Sequence, residues 1–158
     1  MTKQEILAKV DHTLLKADAG WEDIRRICDE ALENSTASIC INPCWVERAV
    51  EYLGGRVPVC TVIGFPLGAT TTAAKVAEAK QALAEGCEEF DMVINIGWVK
   101  DKKFAQIEEE IEQYRENTLP AIIQIPGVSG NTGAGVNGVK KTVEQAVGSD
   151  ILFGGVSE

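Results

Sequence analysis

The feature that most narrows the fold is a strict alternation of strand-like and helix-like segments along all 158 residues. The clearest strand, VPVCTVIGF at 57–65, is a near-continuous apolar run, as expected when both faces of a strand are covered. Around it the spacing predicts a short helix over 2–9 and a strand over 10–15. A helix over 21–34 follows, with Trp21, Ile24, Ile27, Cys28 and Leu32 on one face and Asp18 or Gly20 as its cap. Then come a strand over 37–42, a helix from Pro43 to about Gly54, a helix over 71–86 closed by Gly86, and a strand over 90–95. A helix over 101–117, a strand over 120–125, a helix over 137–147 and a strand over 150–155 complete the series. Alternation of this kind predicts an α/β chain in which helices wrap a parallel sheet. No linker, low-complexity tract or fixed-period repeat interrupts it, so a single domain over 1–158 is expected. Length favours a doubly wound open sheet, because a (β/α)₈ barrel typically takes about 250 residues and about 200 at the short end.

Composition excludes several classes of function. At 45% hydrophobic and 25% charged residues the chain can bury one ordinary core. Its 24 acidic and 15 basic residues give a net charge of −9 with no basic patch, so no nucleic-acid partner is expected. No apolar run approaches the ~18 residues of a membrane span. The N-terminal MTKQEILAKV is interrupted by Glu5 and followed by no small-residue cleavage site. A cytoplasmic protein without a membrane partner is the expectation. Five scattered cysteines make a poor disulfide framework. Cys40 and Cys44 are four apart and the chain has a single histidine, so no metal site is expected.

Asp91 lies within the apolar strand FDMVIN, and a buried carboxylate must be paired or hydrogen-bonded to stay ionised. By itself it reads equally well as a structural strand-end aspartate or as a functional one. Asp11 reads as a polar strand end, followed by His12 and Thr13. Cys40, Cys44 and Cys60 read as small core residues. The stretch PAIIQIPGVSGNTGAG (120–135) pairs a strand whose polar side chain is Gln124 with glycine-rich sequence. The loop over 127–138 has the composition of an anion nest ahead of a helix. It is not a P-loop, since no Gly-Lys-Ser/Thr follows at the required spacing; a plain connection is the alternative.

Four segments carry a resemblance: DHTLLK (11–16), SICINP (38–43), CTVIGFPLG (60–68) and EEFDMVINIG (88–97). In this order and spacing, over roughly residues 5–115, they closely resemble deoxyribose-phosphate aldolase. The resemblance implies a (β/α)₈ TIM-barrel relative and a class I lyase that splits 2-deoxyribose 5-phosphate into glyceraldehyde 3-phosphate and acetaldehyde. It implies a lysine Schiff base and neither metal nor cofactor. Asp91 then matches the aspartate that relays protons as the carbinolamine forms and breaks down. Asp11 and Thr13 match the active-site end of the first strand, and Cys40 matches a pocket-lining cysteine. Thr61 and Asn95 are expected to point into the same barrel. Gly64, Pro66 and Gly68 shape a turn at its mouth, and His12 is structural.

Other segments depart from that family. Its nucleophilic lysine stands on the sixth strand, in a segment like KTSTGFGNTGA. Aligning GNTGA (130–134) with it puts Gln124 in the lysine's place, and an amide cannot form an imine. Gly130, Asn131 and Gly133, with Gly154 and Gly155 of DILFGGVSE, are the candidate phosphate-binding residues. The second lysine of a KASGG-like segment has no counterpart. Lys16, Lys75, Lys80, Lys100, Lys102, Lys103, Lys140 and Lys141 are expected on helices or loops among polar neighbours, where a lysine stays mostly protonated. The expected fold is therefore a shortened or rearranged barrel of about six βα units. Its edges would be covered by self-association into a homo-oligomer. Three functions fit: a working aldolase completed by a partner subunit, an inactive aldolase-derived protein that holds a phosphorylated sugar, and a purely structural remnant.

Overall fold

The computed structural model describes residues 1–118 and 122–124. The elements run α1 (Lys3–Leu7), β1 (Asp11–Leu14), α2 (Trp21–Asn34), β2 (Ser38–Ile41), a 3₁₀ turn (Pro43–Trp45), α3 (Val46–Leu53) and β3 (Val59–Ile63). They continue with α4 (Thr72–Ala84), β4 (Glu89–Met92), α5 (Ile96–Lys100), α6 (Phe104–Thr118) and β5 (Ile122–Gln124). Local chemistry accounts for most of the boundaries. Thr2 and Glu5 close a capping box on α1. The Thr71 hydroxyl accepts from Ala74 N to start α4. α3 stops at Gly54, whose φ of 58° is a left-handed conformation open to glycine.

Every expected element within the described residues is present, with shorter strands than the patterns suggest. The strand expected over 57–65 spans Val59–Ile63 because Gly64, at φ 65°, turns the chain away. The helix expected from Pro43 divides into a 3₁₀ turn and α3. The helix expected over 101–117 begins only at Phe104: Lys102 adopts φ 58° and separates it from the short α5. The helix over 137–147 and the strand over 150–155 lie outside the described residues.

All five described strands are parallel and hydrogen-bonded in the order β1-β2-β3-β4-β5. This order decides between the two architectures. A doubly wound sheet needs a reversal of strand order at a switch point, and none occurs among the described strands. A strictly sequential parallel sheet with right-handed crossovers places its helices on one face, which is the winding of a (β/α) barrel. The core agrees. Ile39, Ile41, Val59, Ile63, Phe90 and Met92 pack with the helices around Ile24, Leu53, Ala79, Ile107 and Ile111. The intervening positions Cys40, Cys60 and Val62 form a separate small cluster with Leu15 on the opposite, inner face. No described helix is long and apolar enough to cross a membrane.

One lysine is not where its sequence neighbours suggest. Lys75, expected on a polar solvated face, is fully buried between α4 and α6. Its Nζ lies 3.0 Å from Glu110 Oε2 and donates to the Val93 carbonyl at 2.8 Å. Glu110, itself buried, also accepts from Thr72 Oγ1 at 3.3 Å. The Lys75 stem leans on Gly64, where an added Cβ would come within 2.9 Å of its Cε. Gly68 has equally little room, since a Cβ there would run into the Ile94 carbonyl.

Candidate active site on the inner face of the sheet

Strand register assembles the inner face in layers. Asp11 pairs with Ser38; Thr13, Cys40, Cys60 and Glu89 follow one another across β1 to β4; Val62, Asp91 and Gln124 follow one another across β3 to β5. Register partners in a parallel sheet share a face. The strands thus bring together Asp11, Thr13, Cys40 and Asp91, four of the residues the resemblance singles out. Ser38 Oγ donates to Asp11 Oδ1 at 2.8 Å, and the Thr13 hydroxyl donates to the Asp11 carbonyl at 2.8 Å. The Cys40 thiol donates to Asp91 Oδ2 at 3.8 Å.

The electrostatics follow from this crowding. Burial first, and the nearby Asp11 charge second, hold the Asp91 carboxyl above its ordinary value; the Cys40 thiol works weakly the other way. Glu89 is raised by burial and then by Asp11, Asp91 and Glu88. Asp91 Oδ1 is buried and has no hydrogen-bond partner among the described residues. Hydrogen bonding to Cys40, followed by burial, pushes the Cys60 thiol up. A carboxyl biased toward its protonated form, with a free lone pair facing a strand-lined surface, can donate and recover a proton.

Several expectations change. Thr61 lies on the helix-facing side: it alternates with Cys60 and Val62, and its hydroxyl donates to the Ile41 carbonyl at 2.7 Å. Asn95 caps α5, its Oδ1 accepting from Trp98 N at 3.1 Å. Cys44 is exposed rather than core. Cys60 is buried, but beside Cys40 on the inner face rather than in the main core. His12 Nε2 lies 2.7 Å from Glu30 Oε2 on α2, on the helix side. Gln124 stands on β5, directly beside β4 and in register with Asp91. This is the fifth strand of the chain, as the alternation of elements predicts, whereas the family's lysine stands on a sixth. Gly130, Asn131, Gly133, Gly154 and Gly155 lie outside the described residues.

The sequence pattern singles out neither Ser38 nor Glu89, and it reads Cys60 only as a core residue. Each stands two positions from, or in register with, a residue already suspected, so parity along the strands was the signal. A hollow of about 220 Å³ lined by Pro43, Cys44, Glu78, Gln81, Ala82 and Glu85 lies in the helix layer and contains none of the inner-face residues.

A sequential parallel sheet with its helices on one face and carboxylates on the other defines a (β/α)-barrel-type protein. The chain belongs to the deoxyribose-phosphate aldolase family. It is 53% identical over 125 residues to the deoxyribose-phosphate aldolase of Clostridium botulinum (strain Alaska E43 / Type E3), a match covering 79% of this chain and 57% of that protein. The chain thus spans little more than half the length of the curated relatives it matches. A proposed deoxyribose-phosphate aldolase from Coccidioides immitis superposes with a TM-score of 0.80 at 32% identity, over 94% of this chain and 58% of that one. The tetrameric deoxyribose phosphate aldolase from Aeropyrum pernix gives a TM-score of 0.66 at 25% identity, over 78% and 53%. A family model described as ATP synthase (F/14-kDa) subunit also matches, over residues 59–143. That match omits β1 and β2, and hence Asp11, Ser38 and Cys40. The aldolase likeness covers more of the chain in sequence and in structure, and family membership rests on it.

Proposed function

We propose that the inner face is the proton-transferring wall of an aldolase active site that cleaves 2-deoxyribose 5-phosphate into glyceraldehyde 3-phosphate and acetaldehyde. The observation that carries this reading is Asp91: a half-buried carboxyl biased toward protonation, with one oxygen unpartnered among the described residues and the other on Cys40. Asp91 would pass protons to and from the carbinolamine oxygen. Asp11, held by Ser38, would keep the Asp91 proton affinity high, Thr13 would support Asp11, and Cys40 would line the pocket. The amine that forms the imine comes from outside the described residues. Lys75, the fully buried lysine, is committed to Glu110 on the helix side. Gly130, Asn131, Gly133, Gly154 and Gly155 remain the candidate phosphate ligands. Self-association is part of the reading, supported by the tetrameric relative; light scattering on the purified chain measures it.

Borohydride reduction with deoxyribose 5-phosphate, followed by peptide mass mapping, tests the assignment. No adduct is expected on any lysine within residues 1–118, and one there overturns it. Fused after β5 to the remaining length of the Clostridium botulinum relative, the chain is expected to cleave the sugar phosphate. In that fusion Asp91→Asn should lower kcat by about 100-fold or more, the usual share of a general acid–base group. An unchanged kcat rejects the role of Asp91. The register of Gln124 beside Asp91 favours a second reading, a protein that holds a phosphorylated sugar without cleaving it. Calorimetric binding of deoxyribose 5-phosphate by the unfused chain, with a fusion that stays inactive, would support that alternative.

A further inference from the structure

We propose that a polar stripe on α4, formed by Thr72, Lys75 and Glu78, acts with Glu110 of α6 as a positioning brace for Asp91, an assignment that rests on the proton-transfer reading of that carboxyl. Successive members of the stripe are three residues apart, so they share one face of the helix. That face meets the C-terminal ends of β3 and β4, the end of a (β/α) barrel where active sites are built. Glu78 and Lys75 each grip the first residue beyond a strand. Glu78 Oε2 accepts from the Gly64 N–H at 2.8 Å, just past β3. Lys75 Nζ donates to the Val93 carbonyl at 2.8 Å, just past β4. Thr72 Oγ1 and Lys75 Nζ then donate to the two oxygens of Glu110, at 3.3 Å and 3.0 Å.

Two observations give these contacts a role in the site. The first is where the lysine bond falls. The Val93 N–H still donates to the Ile63 carbonyl at 2.9 Å, but β3 then turns out of the sheet at Gly64, with φ 65°. The Val93 carbonyl therefore lies beyond the end of β3, and Lys75 supplies its donor there, two residues from Asp91. The second is how little the Asp91 side chain does to fix itself. Oδ1 has no partner among the described residues, and Oδ2 has a long thiol bond at 3.8 Å. The backbone of β4 must then set where the carboxyl stands. A buried ion pair is a weak source of stability, and apolar side chains of similar volume often replace it at no loss. They cannot replace the directed bond from Nζ to the Val93 carbonyl. Placement matters to the chemistry, because a shift of about 1 Å in a reacting group can cost about 100-fold in rate.

The test pairs Lys75→Met with Glu110→Leu, which leaves no charge buried and unpaired. In the unfused chain, amide hydrogen exchange read by NMR should quicken at least tenfold at Val93 and stay unchanged at Ile39 of β2. Unchanged exchange at Val93, or equal quickening at both amides, overturns the brace. In the fusion to the remaining length of the Clostridium botulinum relative, the paired variant should lower kcat at least tenfold and leave KM within about twofold. Glu78→Met should lower kcat in the same way, and Glu78→Gln, which can still accept from Gly64, should restore it. The loss should disappear when Asp91→Asn is already present, because the brace acts through that carboxyl. An unchanged kcat, or the full loss on top of a damaging Asp91→Asn, overturns the proposal. If the paired variant does not fold, Glu78→Met carries both measurements, with exchange read at Gly64. An unchanged kcat for Asp91→Asn alone rejects the proton-transfer reading instead, and exchange at Val93 then decides by itself whether the stripe holds the end of β4.

Discussion

Two buried charged regions lie on opposite faces of the same sheet, and they are built on opposite principles. On the helix side, Lys75 and Glu110 neutralise each other at 3.0 Å, and their remaining hydrogen-bonding capacity goes to the Val93 carbonyl and the Thr72 hydroxyl. On the inner face, Asp91 stands near Asp11 and Glu89, like charges all, with the Cys40 thiol donating to one oxygen and the other oxygen unpartnered among the described residues. The first region is a closed account of donors and acceptors that locks α4 to α6 and to the end of β4. The second keeps a group under electrostatic tension, which stability alone would not select. Tyr114 sharpens the contrast: its buried hydroxyl also finds no partner among the described residues, but it is neutral and packs edge-on to Phe90.

The contrast can be broken experimentally. Lys75→Ala should have the largest effect, a loss of about 3–5 kcal/mol, because it leaves Glu110 charged and unpaired in the core. Chemical denaturation measures it. Replacing both partners, Lys75→Met with Glu110→Leu, should recover most of that loss; a double variant as unstable as the single would mean that the pair supplies more than mutual neutralisation. Gly64→Ala should come next, at about 1–3 kcal/mol, since it puts a Cβ on a left-handed residue and against the Lys75 stem. Thermal melts of the two single variants and their combination should be non-additive, because the residues touch.

Asp91→Asn should have the smallest effect on stability, and the opposite sign. At neutral pH it should leave the melting temperature unchanged or raise it by about 2 °C. The pH dependence follows from the direction of the shifts. The folded Asp91 and Glu89 carboxyls hold protons more tightly than their ordinary values of 3.8 and 4.5. Just above those values the folded chain therefore carries more protons than the unfolded chain, and stability falls as pH rises through this window. The cost persists at neutral pH and is relieved on acidification. Asp91→Asn should remove the Asp91 share of that slope, measured by thermal melts across the window. A steeper fall in the variant, or a clear loss of stability at neutral pH, would mean that Asp91 has a favourable ionic partner.

The same two regions show what the residues reveal on their own. The alternation of elements and the apolar β3 are readable because strand and helix periods differ so plainly. Asp91 stands out as a carboxylate inside an apolar strand. Lys75 does not, because KVAEAK looks like any solvated helix; only the packing of α6 over α4 buries it. Glu110 is hidden in the same way inside the run EEEIEQ, where Glu109 and Glu112 are exposed and Glu110 turns in. Thr61 and Cys60 differ by a single step along β3, and a one-residue change of register exchanges their faces. Composition cannot supply that register, whereas the neighbouring strands fix it. Asn95 likewise belongs by pattern to the end of a strand, but the chain turns at that point and uses it as a helix cap.

The strictly sequential strand order has a consequence for how the chain acquires its structure. Each described strand's lateral neighbour is the one made immediately before or after it, so every pairing among them closes a loop of one helix and its turns, or of two short-linked helices between β4 and β5. A closure that spans one or two helices costs less loop entropy than a pairing between strands distant along the chain. β1 and β2 can therefore pair before β4 has left the ribosome, and each later βα unit can add to an edge that is already ordered. Assembly in this mode proceeds as growth from the N-terminal end, with Cys40 and then Cys60 in position before Asp91 arrives to complete the inner face.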